Sequence, residues 1–172
     1  MVHRSIFHIF SQWCRFSRYL LAICWFVGVL LGFYAATPSE SNVSAARWFA
    51  YGQSAPWHIF LSLCIPVVVS RLAQELSCRW TIFILGFIKA FLFSYSATII
   101  GHCFGSAGWL VRFLLLFSQY MTLPALYLYF DLLLRKPCRK TYYVESILFI
   151  YIAGVVIVDR FVIYPLLNAV FY

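Results

Sequence analysis

The chain of 172 residues is 64% hydrophobic and 21% aromatic, and only 10% of its residues are charged. Soluble globular proteins carry about 25% charged residues and disordered chains have few aromatic side chains, so both classes are excluded. With a mean hydropathy of +0.88, the composition indicates a single integral membrane domain. The net charge is +8, from 13 Lys and Arg against 5 Asp and Glu. In a membrane protein, the position of such an excess along the chain reports topology, and we do not expect it to bind nucleic acid.

Five apolar segments are long enough to cross a bilayer core of about 30 Å as helices. The predicted spans cover residues 19–36, 55–70, 80–100, 110–130 and 141–158, and an apolar tail follows over 161–172. They predict an all-α, polytopic helical bundle. The first span lacks a clean A-x-A cleavage site, so we expect it to remain as an anchor. The tail either continues the fifth helix or lies along the outer interface.

The basic residues are divided unevenly between the two sides of these spans. Nine lie on the side of the N-terminus: Arg4, Arg15, Arg18, Arg71, Arg79, Arg135, Lys136, Arg139 and Lys140. Two lie on the opposite side, Arg47 and Arg160. Because Lys and Arg accumulate in cytoplasmic loops, this predicts a cytoplasmic N-terminus and an external C-terminus. Cys103 is then the one cysteine expected outside and Cys138 is expected inside.

Several charged residues lie within the predicted spans, where each needs a partner or access to water. Lys89 is the deepest, nine residues into the third span. We expect it to pair with Glu145 or to bind carbonyl, hydroxyl or amide groups. Arg112, Asp159 and Arg160 lie near the outer ends, and their depth predicts an ion pair between Arg112 and Asp159. Such charges either set the register of packed helices or line a polar pathway. The structural role is favoured, because a transporter usually has more intramembrane carboxylates and an internal repeat.

The third span carries small residues at every fourth position: Gly86, Ala90, Ser94 and Thr98. Small residues at this spacing let two helices approach closely. The face they form packs against another helix of the same chain or binds a partner helix.

The fourth span is interrupted by Pro124, with Gln119 and Thr122 close by. A proline removes a helical hydrogen bond, and neighbouring polar side chains can satisfy the freed backbone groups or bond to other helices. This polar, kinked turn is predicted to make a specific internal contact.

Residue types that support catalysis or metal binding are sparse. There is no C-x-x-C, and His102 has only Cys103 beside it as a second ligand type. His102 and Ser106 would suit an intramembrane serine protease, but the glycine-rich turn around Ser106 is more simply a tight connection. We therefore expect no enzymatic activity, no cofactor and no metal site.

A series of motifs over residues 80–167 carries a family resemblance. Gly86-Phe87 and Ala90-Phe91 precede a glycine-rich turn, Gly101 to Gly108; Pro124-Ala125-Leu126 and then Asp159 to Pro165 follow. The pattern resembles the stage II sporulation protein M family of spore-forming Firmicutes, with its Gly-Phe-x-x-Gly-Phe helix, glycine turn and Pro-Ala-Leu helix. Here Ala90 replaces a glycine, Phe117 a proline and Gln119 an asparagine, and the final acid-to-proline spacing is one residue longer.

The resemblance implies a multi-pass scaffold of the bacterial cell membrane that recruits peptidoglycan-degrading enzymes to the septal membrane during sporulation and engulfment. Its partners would be the lipid bilayer and other membrane proteins, with catalysis left to cell-wall hydrolases. The alternative is a substrate-binding or transport subunit of a small-molecule uptake system, whose many aromatic side chains would line a pocket. A copurifying vitamin would favour transport, and dependence of a wall hydrolase on this chain for its location would favour the scaffold.

Overall fold

The computed structural model describes the backbone of residues 2–36, 56–76, 78–104, 108–135 and 141–171, with side chains from residue 16 onward in most of these ranges. The predicted outer loop over 37–54, Ser106, and the basic loop over 136–140 with Cys138 lie outside the described residues. Apart from short turns, the described segments are helical throughout. The predicted all-α helical bundle is therefore confirmed.

The described helices follow one another with short connections. They are α1 (Val2–Ala35), α2 (Pro56–Glu75), α3 (Trp80–Phe104), α4 (Gly108–Leu115), α5 (Phe117–Arg135), α6 (Thr141–Val158) and α7 (Tyr164–Phe171). Helix α2 begins with Pro56. The backbone N–H at the first position of a helix has no partner within the helix, so a proline there costs no hydrogen bond. A π-helical turn, Asp159–Ile163, joins α6 to α7.

Among the described residues, four helical stretches are long and apolar enough to cross a membrane, which indicates a multi-pass membrane protein. They are Phe16–Ala35, Pro56–Glu75, Trp80–Phe104 and Tyr142–Leu167. Helices α4 and α5 together pass the same test of length and composition, but they meet at an angle of 67°. The predicted fourth span, 110–130, is therefore not one straight helix, and the pair is a broken span or a re-entrant loop.

The apolar tail continues the fifth span, which decides between its two predicted paths. The π turn carries the helix from α6 into α7, and the Tyr164 N–H donates to the Asp159 carbonyl five residues before it. A proline in a regular α-helix clashes with the carbonyl four residues earlier. The wider turn lies directly before Pro165, where that clash would otherwise occur.

The core lies where α1, α2, α3, α5 and α6 meet. Fully buried side chains from each helix form one cluster: Leu21, Val67, Ile82, Phe130 and Ile152. A smaller cluster joins α3 to α4 and to the residue before α5, with Ile100, Val111 and Leu116 buried in it. Large apolar side chains also cover the outside of every helix, as expected where the surrounding solvent is lipid.

Candidate functional site

Helices α1 and α3 approach closely at two glycines that the sequence analysis passed over. A Cβ atom on Gly28 would lie 2.6 Å from the Phe87 carbonyl oxygen, and one on Gly32 would lie 2.9 Å from the Tyr95 nitrogen. Both neighbours are backbone atoms, so only glycine fits. The signal in the sequence is Gly28-Val-Leu-Leu-Gly32, a GxxxG pattern of the kind that mediates close helix packing in membranes.

The small-residue face of α3 lies against α1. The Cβ atoms of Ala90 and Ser94 are the side-chain neighbours of Gly28 and Gly32, respectively. The Ser94 hydroxyl also donates to the Val29 carbonyl across the contact, at 2.8 Å. The remaining polar member, Thr98, donates to a carbonyl of its own helix at 2.8 Å. At Ala90 and Ser94 the face is thus occupied by a helix of the same chain.

The first position of this face, Gly86, accommodates a side chain rather than a helix backbone. The indole of Trp25 lies over Gly86, where a Cβ atom would overlap the indole nitrogen. The same indole contacts the Tyr127 ring edge-on, with ring centroids 5.3 Å apart and an interplanar angle of 85°. Trp25 therefore connects α1 to both α3 and α5.

Lys89 binds a carbonyl group that a proline leaves free. Its Nζ donates to the Ser62 carbonyl of α2 at 3.3 Å. Pro66 lies four residues after Ser62 and has no N–H, so the helix cannot supply the usual donor to that oxygen. Two kinds of partner were expected for Lys89, a carbonyl group or Glu145. In the structure Lys89 binds a carbonyl group, and Glu145 binds Tyr129 and Arg71 instead.

Asp131 is at the centre of one group of charges at the end of the bundle predicted to face the cytoplasm. Its carboxylate accepts from Arg18 Nε of α1 at 3.0 Å. It also accepts a hydrogen bond from Arg135, one turn further along α5. Only 11% of the Asp131 side chain is exposed. This carboxylate thereby holds the first helix to the fifth.

Glu145 is at the centre of a second group at the same end. It accepts from the Tyr129 hydroxyl at 3.0 Å and pairs with Arg71 Nη1 at 3.4 Å. Arg71 also binds Glu75 at 3.1 Å and lies 4.7 Å above the centre of the Tyr142 ring. Through these contacts, α2, α5 and α6 share one polar network. We refer to both groups together as the charged cluster: Arg18, Arg71, Glu75, Asp131, Arg135 and Glu145.

The predicted ion pair between Arg112 and Asp159 is wrong for the described residues, where each has another environment. The Asp159 carboxylate lies near the backbone of Ser118, in the first turn of α5. The Arg112 guanidinium lies against Gly101 of α3. Arg160 lies 5.0 Å from the centre of the Tyr164 ring.

The bend between α4 and α5 explains this arrangement. Backbone bonds continue through it, from Leu116 N to Arg112 O at 3.0 Å and from Tyr120 N to Leu116 O at 2.8 Å. The Asp159 side chain lies beside this bend, near the Ser118 backbone. Helices kink where a side chain enters the hydrogen-bond ladder, and a carboxylate is favoured at a helix N-terminus.

A small, half-open cavity lies beside Asp159. It has a volume of about 30 Å³ and is lined by α2, α4, α5, the π turn and α7, through Ile59, Leu114, Leu115, Ser118, Asp159, Ile163, Tyr164 and Leu167. A buried water needs about 10–15 Å³ by this measure, so the cavity has room for about two waters.

The turn around Pro124 makes its cross-helix contact with a residue that the sequence analysis did not single out. The Tyr151 hydroxyl of α6 donates to the Met121 carbonyl of α5 at 2.9 Å. Thr122 donates within its own helix, to Ser118 O at 2.7 Å. Gln119 is partly buried. A tyrosine is common in apolar helices, and nothing in its local sequence marks Tyr151 as the donor.

Comparison with known proteins leaves the family resemblance as a hypothesis. No known protein family, no curated protein and no solved structure matches the chain. Within the part of the chain that the structure describes, no three His, Cys, Asp or Glu residues are close enough to hold a metal ion. His102 is exposed and Cys103 is partly exposed. The polar groups that do come together connect helices.

Proposed function

We propose that the chain is a multi-pass scaffold of the bacterial cell membrane that binds other membrane proteins and holds them at one place. One observation supports this most directly: described polar groups at the helix crossings bond one helix of the bundle to another. Ser94 bonds α3 to α1, Tyr151 bonds α6 to α5, and the charged cluster joins α1, α2, α5 and α6. Contacts of this kind fix the positions of the helices relative to one another, and such a bundle would present a constant surface to its partners.

The resemblance of residues 80–167 to the stage II sporulation protein M family suggests who those partners are. We propose that the chain recruits peptidoglycan-degrading enzymes to the septal membrane between mother cell and forespore during engulfment. The hydrolases would cut the wall, and the scaffold would determine where they do so without catalysis of its own.

The proposal is tested by the position of a fluorescently tagged wall hydrolase in the native organism. Deletion of the gene for this chain should spread the hydrolase over the membrane, and a plasmid copy should return it to the septum. A copy with Gly28→Leu should fail, because the larger side chain separates α1 from α3, whereas Gly154→Leu should succeed because a Cβ atom there meets nothing within 4 Å. A hydrolase that stays at the septum after deletion would contradict the proposal.

A transport subunit is the second candidate, and the bend between α4 and α5 favours it. Transporters often place their substrate sites at interrupted helices, and here a carboxylate, Asp159, lies at the interruption. The cavity is too small for a vitamin, so this function would require it to open. A rise in the melting temperature of the purified protein with a vitamin would favour transport, and an unchanged melting temperature would favour the scaffold.

A further inference from the structure

Lys89 carries its charge at a depth where a membrane protein rarely leaves a cation. It lies nine residues after Trp80, the exposed aromatic residue that begins α3. At 1.5 Å per residue, this places Lys89 about 14 Å along the helix, near the middle of a core of about 30 Å. A cation at that depth is costly unless it faces water or binds an anionic or strongly polar group.

The described part of the chain supplies one polar partner for the Lys89 ammonium group. An ammonium group has three N–H donors, and Lys89 uses one of them on the Ser62 carbonyl. Among the described residues, no carboxylate lies within ion-pair distance of Lys89. Glu75, Asp131 and Glu145 belong to the charged cluster.

The surroundings of Lys89 open toward the lipid. Its side chain is partly exposed between α2 and α3. Beside Ser62 on α2, Leu61 and Ile65 are 45% and 56% exposed. On α3, the neighbouring Ile88 is also exposed. Exposed apolar side chains of α2 and α3 thus lie on either side of a partly exposed ammonium group. Such a surface is complementary to an apolar helix that carries a negative charge.

We infer that Lys89 and the apolar side chains around it form a docking surface for a transmembrane helix of another protein that carries a carboxylate at mid-membrane depth. The carboxylate would accept the two remaining ammonium hydrogens, while apolar side chains of the partner helix pack on those of α2 and α3. This inference rests on the proposal that the chain binds other membrane proteins, and it names the chemistry of one such partner.

The test uses the purified full-length protein in phospholipid vesicles, with a fluorescent protein fused to its N-terminus. The probe is a dye-labelled, leucine-rich transmembrane peptide of about 20 residues with a single central Glu. Two matched peptides carry Gln or Leu at that position. Energy transfer between protein and peptide reports binding, and changes confined to the peptide leave the folding of the protein untouched.

The Glu peptide should bind about tenfold more tightly than the Leu peptide, within the range measured for polar contacts between membrane helices. The Gln peptide should lie between the two. Lys89→Met should abolish the preference for Glu, Lys89→Arg should keep it, and Ile88→Met should keep it as the matched change on the neighbouring residue. Equal binding of the Glu and Leu peptides, equal binding of the Glu and Gln peptides, or a preference that survives Lys89→Met would each overturn the inference. These outcomes do not involve the hydrolase, so a failure here with normal hydrolase localisation would leave the scaffold proposal standing.

Discussion

Gly28 allows the contact between α1 and α3 to be tested with a single methyl group. In Gly28→Ala the new Cβ would lie 2.6 Å from the Phe87 carbonyl oxygen, although Cβ atoms essentially never come closer than 3.0 Å to such neighbours. The helices would have to separate by at least about 0.4 Å, because a backbone oxygen cannot rotate away. Overpacking of this kind costs about 1–3 kcal/mol, and the better helix propensity of alanine offsets up to about 1 kcal/mol. We expect the free energy of unfolding to fall by about 1–2 kcal/mol.

The matched control is the same substitution at Gly154 of α6, where a Cβ atom meets nothing within 4 Å. Gly154→Ala should leave stability unchanged or raise it slightly. Both variants are unfolded in mixed micelles by increasing the fraction of sodium dodecyl sulfate, and the loss of structure is followed by circular dichroism and by tryptophan fluorescence. Trp25 of α1 is a suitable reporter because it packs against α3. If Gly28→Ala unfolds at the same detergent fraction as Gly154→Ala, the reasoning about this helix contact is refuted.

Three further predictions follow from other contacts. Glu145→Gln should lower the free energy of unfolding by about 1.5–3 kcal/mol, while Glu75→Gln should cost less than about 1 kcal/mol; both bind the same guanidinium, but their side chains are 11% and 56% exposed. Equal losses in the micelle assay would contradict this. Tyr151→Phe should cost about 0.6 kcal/mol, and at most about 1.7, because it removes one hydrogen bond to α5; an unchanged stability would argue against that bond. In intact cells, a membrane-impermeant thiol reagent should reach Cys103 and not the exposed Cys78, and the reverse pattern would invert the predicted topology.

The sequence indicates what kind of group Lys89 binds, but not which one. Lys89 stands out in the sequence as a cation inside an apolar span, and a carbonyl was one of its expected partners. Which carbonyl it is depends on how α2 and α3 are rotated against each other. Only the packed structure brings the Lys89 ammonium to Ser62, four residues before Pro66.

The predicted ion pair between Arg112 and Asp159 is wrong for a related reason. Matching their depths treated the fourth and fifth spans as straight rods that run past each other. The bend of 67° between α4 and α5 and the π turn at Asp159 break that assumption. The Asp159 carboxylate lies beside the first turn of α5, and a count of residues along each span does not reveal that neighbour.

The helical class of the protein and its apolar segments follow from the sequence, because a backbone in lipid must satisfy its own hydrogen bonds and about 20 apolar residues are needed to cross. The choice of neighbours was left to the tertiary structure. A soluble helix marks its buried side with an apolar stripe, but α3 is apolar on nearly every side. Its small residues mark a packing face without indicating which helix packs there. Helix rotation, bends and close approach exist only once the helices have packed. They decide which helix the α1 glycines contact, which carbonyl Lys89 binds and which turn lies beside Asp159.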